Sequence, residues 1–208
     1  MEIQPFIKVF IFEGDQLVEP CPMPQWRIDE IERAHPFDKR DKELIWRALT
    51  IAVNKAFGVT LESLNPRKDY LGKLYIDNYH VSISHSGNRF MVGLSSHNIG
   101  VDIMKNSEYR YYALSENKSY WSKDEQKIIY AKDEIAPFYI TWCKKEALYK
   151  FLNPGFPYKE NKARVDTTKY KSMFRIGSLE REYHFFAICS ELFKEHVKPQ
   201  LFTNLELD

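Results

Sequence analysis

The sequence predicts an α+β fold built from two similar strand-helix-hairpin halves, with a cleft where they join. Three observations lead there. A chain of 208 residues with 44% hydrophobic and 15% aromatic content can bury a substantial core. A strand, an amphipathic helix and a hairpin follow one another in the first half, and the same order returns in the second. No low-complexity segment or long Gly/Ser linker separates the halves, so they are expected to pack as one body.

Taken in order, residues 6–12 (FIKVFIF) read as a strand and are followed by a Pro-rich connection. From Asp38 to Phe57, apolar residues at Leu44, Ile45, Ala48, Leu49, Ala52, Val53 and Ala56 recur at helical spacing, and Gly58 stands where a helix would end. HVSIS and RFMVGL flank His85-Ser86-Gly87-Asn88 and predict a hairpin, with Val81 and Ile83 on one face and Ser82 and Ser84 on the other. NIGVDIM opens the second half as a strand. Helical stretches near 122–132 and 137–152 follow, then KSMFRIG and YHFFAIC around a polar turn. The junction falls near residues 96–100, which divides the chain into 1–97 and 98–208 and sets the expected cleft between them.

Composition narrows the classes of function. Lys plus Arg (30) nearly cancels Asp plus Glu (29), which argues against a nucleic-acid coat and makes any anion site local. Cys21, Cys143 and Cys189 have no CxxC spacing, so neither a zinc cage nor a disulfide framework is expected, and a reducing cytoplasm fits. The N-terminal segment lacks a signal-peptide pattern, and no apolar run approaches the roughly 20 residues that span a bilayer. A soluble protein with no membrane partner is the expectation.

Two segments carry candidate chemistry. Asp is disfavoured in strands, yet Asp102 sits between Val101 and Ile103, where alternation puts it beside Gly100 and Met104 and away from Val101 and Ile103. It either lines a cleft or caps a turn at the strand end. In FYITWCKKEALYKFL, Trp142, Glu146 and Lys150 fall at i, i+4 and i+8 on nearly one face. Glu146 and Lys150 alone read as a surface ion pair. Paired with Asp102, Glu146 gives two carboxylates from different elements, the least protein contribution to a Mg²⁺ site open to water and phosphate oxygens. Lys145 or Lys150 beside it would stabilise a transferring phosphoryl group. His85 in its turn reads as a phosphate donor or as polar surface. Tyr70-Leu71-Gly72-Lys73 combines close backbone approach with a point charge, and Arg33, Lys39, Arg40, Lys42 and Arg47 make the first helix and its entry basic.

In order and spacing, LGK (71–73), SISHSG (82–87), IGVDIMK (99–105) and FYITWCKKEALYK (138–150) resemble the phosphopantetheinyl transferases, specifically the longer two-half type typified by the enzyme that activates surfactin synthetase. The last block, W-x-K-K-E-A-x-x-K, is the most specific. The resemblance implies a pseudo-dimeric α+β fold with coenzyme A as co-substrate between the halves. It matches Asp102 and Glu146 to metal-binding acids for Mg²⁺, with Mn²⁺ as an alternative. Lys150 matches the lysine near the reacting phosphate, and Asp102, Glu146 and Lys150 together form the catalytic set. Ser84 and His85 match phosphate contacts on the hairpin, and Lys73 and Arg33 match groups holding the 3′-phosphate and pyrophosphate. Lys145 and Trp142 also match family positions. A carrier-protein serine would then attack the β-phosphate and release adenosine 3′,5′-bisphosphate, with Glu146 accepting its proton.

The implied partner is an apo acyl or peptidyl carrier protein, and a monomer is expected because the fused halves supply the interface that shorter relatives build by oligomerising. Three departures stand out: Met104 where many relatives have a second acid, Leu74 in place of a proline, and FLNPGFPYKEN after the last block. The competing reading is a pseudoenzyme that holds coenzyme A or a carrier protein without transferring anything. Met104 favours it, and Asp102, Glu146, Lys145 and Lys150 stand against it.

Overall fold

Strand β1 (Ile7–Glu13) turns Ile7, Val9 and Ile11 to one side and Phe10 and Phe12 to the other, and each set enters a different core. This division sets the architecture. The computed structural model describes residues 4–69, 72–107, 111, 118–131, 135–152, 165–179 and 183–203. Within them, a six-stranded sheet runs β2 (Pro66–Lys68), β3 (Leu74–Ile76), β4 (Tyr79–Ser86), β5 (Arg89–Ser95), β1 and β9 (Gln200–Thr203) in spatial order. A second, three-stranded sheet runs β6 (Ile99–Lys105), β8 (His184–Ser190) and β7 (Phe174–Leu179).

The apolar clusters give four layers. Helix α2 (Pro36–Phe57) buries Leu44, Ala48, Leu49, Ala52 and Val53 against Phe10, Phe12, Phe90, Val92 and Leu94 of the first sheet. Each large side chain in that stripe contributes about 1.5–3 kcal/mol by leaving water, so packing more than propensity holds the helix. Its end is as expected: Gly58 adopts φ 69° and its N–H bonds the Asn54 carbonyl. The other face of the first sheet meets the second through Ile7, Val9, Ile11 and Met91 on one side and Ile99, Val101, Ile103 and Ile188 on the other. Helix α4 (Ala136–Leu152) covers the outer face of the second sheet with Phe138, Tyr139, Cys143, Ala147 and Phe151. Helix α3 (Lys123–Ile129) joins it, its N-terminus closed by a capping box between Ser122 and Glu125.

The chain therefore has the expected mixed α+β character, with a helix outside each sheet. Two features differ from the sequence reading. Part of the Pro-rich connection forms helix α1 (Gln25–Glu32), which sets Trp26 edge-on to Trp46 with ring centroids 5.5 Å apart. The C-terminal strand β9 returns to pair in parallel with β1, so residues beyond 98 lend a strand to the first sheet. Among the described residues no helix is long and apolar enough to cross a membrane.

Candidate active site

On β6, alternation turns Gly100, Asp102 and Met104 towards α4. Gly100 is what lets the helix approach: a Cβ there would stand 1.9 Å from the Ala147 carbonyl oxygen. This close packing lays the last turns of α4 over Asp102. The buried Asp102 carboxylate accepts hydrogen bonds at Oδ1 from Ser84 Oγ (2.7 Å) and from Lys150 Nζ (2.9 Å), and Lys150 also donates to the Val101 carbonyl (2.9 Å). The Cys143 thiol lies alongside and donates to the Phe185 carbonyl at 3.3 Å. Burial first, then the charge and hydrogen bond of Asp102, push that thiol well above its usual range, and Glu146 adds to the effect. Glu146 itself is half-buried, one turn before Lys150.

The serines of β4 explain how the two sheets meet beside this group. Strand β6 is an edge strand, so one row of its N–H groups needs partners other than β8. Ser82, Ser84 and Ser86 supply them: their hydroxyls accept from the N–H of Val101 (2.9 Å), Ile103 (3.3 Å) and Lys105 (2.9 Å). Ser84 thus both secures the seam and orients Asp102.

A cleft of about 300 Å³ opens from this point between α1, α2, β4 and α4. Arg27, Lys68, Lys73 and Lys150 give its walls positive charge, and Trp26 and Trp46 give it aromatic faces. Burial lowers the Lys73 pKa, an effect Asp69 partly offsets. Near Arg27 and Lys68, a single carboxylate gathers three cations: Glu30 accepts from Lys68 (2.6 Å), Arg27 (2.9 Å) and Lys42 (3.2 Å).

Of the residues singled out in the sequence, Asp102, Lys150 and Ser84 meet directly, Glu146 adjoins them, and Lys73 shares the cleft with Lys150. Four stand elsewhere. The Arg33 side chain is 80% exposed and 3.7 Å from Asp29. His85 points away from Ser84, stacks on Phe90 and lies 3.7 Å from Asp41. Lys145 is wholly buried, donating to Glu125 and to the Val165 carbonyl. Trp142 packs in the core under α4. Tyr70 and Leu71 and most of FLNPGFPYKEN (from residue 153 on) lie outside the described residues. The sequence reading missed Arg27, Lys68, Glu30 and Cys143, because their roles depend on α1 and on contacts between distant elements. A Lys or Arg beside a Trp, as in Trp26-Arg27, was the one available signal.

Among the described residues no group of three or more His, Cys, Asp or Glu side chains could hold a metal ion. Met104, at the position of the expected further acid, is packed into the core beneath α4. Asp102 and Glu146 carry carboxylate oxygens on adjacent elements. That set suits a hard cation that keeps water and phosphate oxygens in its other positions.

Residues 98–198 match the model of the 4′-phosphopantetheinyl transferase superfamily. The chain is similar to the 4′-phosphopantetheinyl transferase gsp of Aneurinibacillus migulanus, with 25% identity over 136 residues, covering 63% of this chain and 54% of that protein. The match thus spans about half the length of that curated relative.

Proposed function

We propose that the protein transfers 4′-phosphopantetheine from coenzyme A to a serine of an apo acyl or peptidyl carrier protein, releasing adenosine 3′,5′-bisphosphate, as a cytoplasmic monomer of the longer two-half type. The observation that carries this reading is the Lys150–Asp102 contact at the end of a cleft lined by Arg27, Lys68 and Lys73. Four cations around a partly aromatic cleft suit a nucleotide bearing several phosphates. The superfamily match over residues 98–198 and the similarity to gsp support phosphopantetheinyl transfer as the chemistry.

In this mechanism Lys73, Arg27 and Lys68 draw the phosphates into the cleft and fix their direction. Lys150, itself oriented by Asp102 and the Val101 carbonyl, presents its ammonium to the phosphoryl group that is transferred. The serine oxygen forms a bond to the β-phosphorus as the bond from that phosphorus to the bridging oxygen breaks. The displaced oxygen leaves on adenosine 3′,5′-bisphosphate, and the serine proton passes to Glu146 and on to solvent. Asp102 and Glu146 would hold Mg²⁺ or Mn²⁺, which when bound neutralises charge on the pyrophosphate. Ser84 and His85 remain candidates for contact with the nucleotide phosphates at the hairpin, Ser84 only if ligand binding redirects the hydroxyl that now holds Asp102. Arg33 is a candidate at the outer rim.

Intact mass spectrometry of apo carrier proteins incubated with the enzyme, coenzyme A and Mg²⁺ tests the reading. The expected result is a gain of one phosphopantetheine arm that needs metal and disappears with Glu146→Ala. Coenzyme A binding with no gain on any carrier would overturn transfer in favour of binding alone.

A further inference from the structure

The link between the sheets, from β5 to β6, ends at Asn98, whose side chain touches both parts of the candidate site. Its amide oxygen accepts from Lys73 Nζ, and its amide nitrogen donates to the carbonyl of Phe151 in the last turn of α4. The partners dictate this orientation, since an ammonium only donates and a carbonyl only accepts. The backbone carbonyl of Asn98 also accepts from Ser190 Oγ at 3.3 Å, which fixes the residue against β8.

Each contact has a physical consequence. The final carbonyls of a helix lack partners within it, so Asn98 caps α4 at its C-terminus. Two residues further on, Gly100 lets the helix backbone come close, and Lys150 of the same turn reaches Val101 and Asp102. The end of α4 is therefore held at Asn98, just before β6, and at Gly100 to Asp102 within it. On the other side, Lys73 is a long, flexible side chain that gives up rotamer freedom to stay on the cleft wall. The amide oxygen engages one of its three N–H donors and leaves the ammonium charge at the cleft.

We propose that Asn98 is a positioning residue for the transfer described above, holding Lys73 in place for a phosphate of the donor and the end of α4 in place over Asp102. The inference rests on that functional reading, but it concerns a residue outside the proposed chemistry. It couples the ligand-binding wall of the cleft to the helix that carries Glu146 and Lys150.

Isothermal titration of coenzyme A into the wild-type protein, Asn98→Ala, Lys73→Met and the double variant tests the coupling without any transfer step. Each single variant is expected to weaken binding about tenfold, the weight of one charge-assisted hydrogen bond, and the double variant to bind no more than about twofold worse than Lys73→Met. A merely structural Asn98 would give additive losses, and that result, or unchanged binding by Asn98→Ala, overturns the proposal. If Asn98→Ala does not fold, Asn98→Ser, too short to reach Lys73, replaces it. Amide hydrogen exchange at residues 148–152 reads the helix end, where Asn98→Ala should exchange about tenfold faster and an unchanged rate overturns that half of the proposal. A wild-type protein that binds no coenzyme A would instead overturn the transferase reading, and this inference with it.

Discussion

Helix α4 carries two lysine-carboxylate pairs of nearly equal length and opposite character. Lys145 and Glu125 lie 2.7 Å apart with both side chains 0% exposed, whereas Lys150 and Asp102 lie 2.9 Å apart at 29% and 8%. The sealed pair is closed on every side: Lys145 also donates to the Val165 carbonyl, and Glu125 accepts from Ser122 N–H and from the N–H and hydroxyl of Thr167. It ties α3, α4 and the segment after residue 165 into one unit. The other pair lies at the cleft, whose wall its lysine lines. Both pairs join a lysine to a carboxylate at nearly equal distance, so access decides which pair can do chemistry. A buried ion pair that no ligand can reach serves the fold.

The largest expected effect breaks the open pair. Asp102→Asn and Glu146→Ala should each lower kcat/KM for carrier modification by about 10² to 10⁴, with the folded state retained by circular dichroism. A wild-type rate in either variant would remove that carboxylate from the mechanism. Breaking the sealed pair should act on stability instead. Lys145→Met leaves the Glu125 charge buried without its cation, which costs about 3–5 kcal/mol, a fall in Tm on the order of 10 °C. Lys145→Met with Glu125→Leu should recover much of it, and a thermal melt in which the double variant is no better than the single one would refute the sealed role.

The contrast was only half legible in the sequence. Asp102 stood out because an acid within an apolar strand needs a reason, and the i, i+4 spacing put Glu146 and Lys150 on its side of the helix. Helix α2 and the β4–β5 hairpin were legible for similar reasons, since the apolar stripe, Gly58 and the alternation around Gly87 are local signals. Lys145 stood beside Lys150 as a candidate for the transferring phosphoryl group, although one residue from Glu146 means about 100° around the helix. What it meets there, Glu125, comes from another helix, and no spacing announces such a partner. Ser84 was matched to a phosphate contact by resemblance, and nothing in the sequence announces that an edge strand needs its hydroxyl and those of Ser82 and Ser86. Helix α1 escaped notice because it is short, follows a proline and anchors itself through Trp26 and Arg27 on Trp46. Strand β9 is paired with a strand nearly the whole chain away.

A smaller effect tests how the open pair is held in place. Gly100→Ala would set a methyl group 1.9 Å from the Ala147 carbonyl and 2.8 Å from the Phe151 nitrogen, both backbone atoms that cannot step aside. The helix must lift from β6, at about 1–3 kcal/mol, the usual range for overpacking. Because the movement separates Lys150 from Asp102, the rate should fall by more than the Tm change alone explains. A variant that loses stability but keeps its rate at a temperature where it is folded would show that the pair tolerates displacement of the helix.

The smallest effect concerns Glu30, intermediate between the two pairs, since its carboxylate is partly exposed yet binds three cations. Burial pushes its pKa up, but hydrogen bonds from Lys68 and Arg27 and the charges of both outweigh that and bring it from 4.5 down to about 2. A carboxyl whose pKa is lower in the folded state stabilises it above its unfolded value and loses that contribution as pH falls through the folded one. The window is therefore from about 4.5 to about 2. Solvent screening holds the contribution to under about 1 kcal/mol. Thermal melts of wild type and Glu30→Gln should differ by a constant margin above pH 4.5 that closes as pH approaches 2. A margin that persists to pH 2 would mean the substitution disturbs packing of α1 rather than charge, and would move Glu30 to the side of the sealed pair.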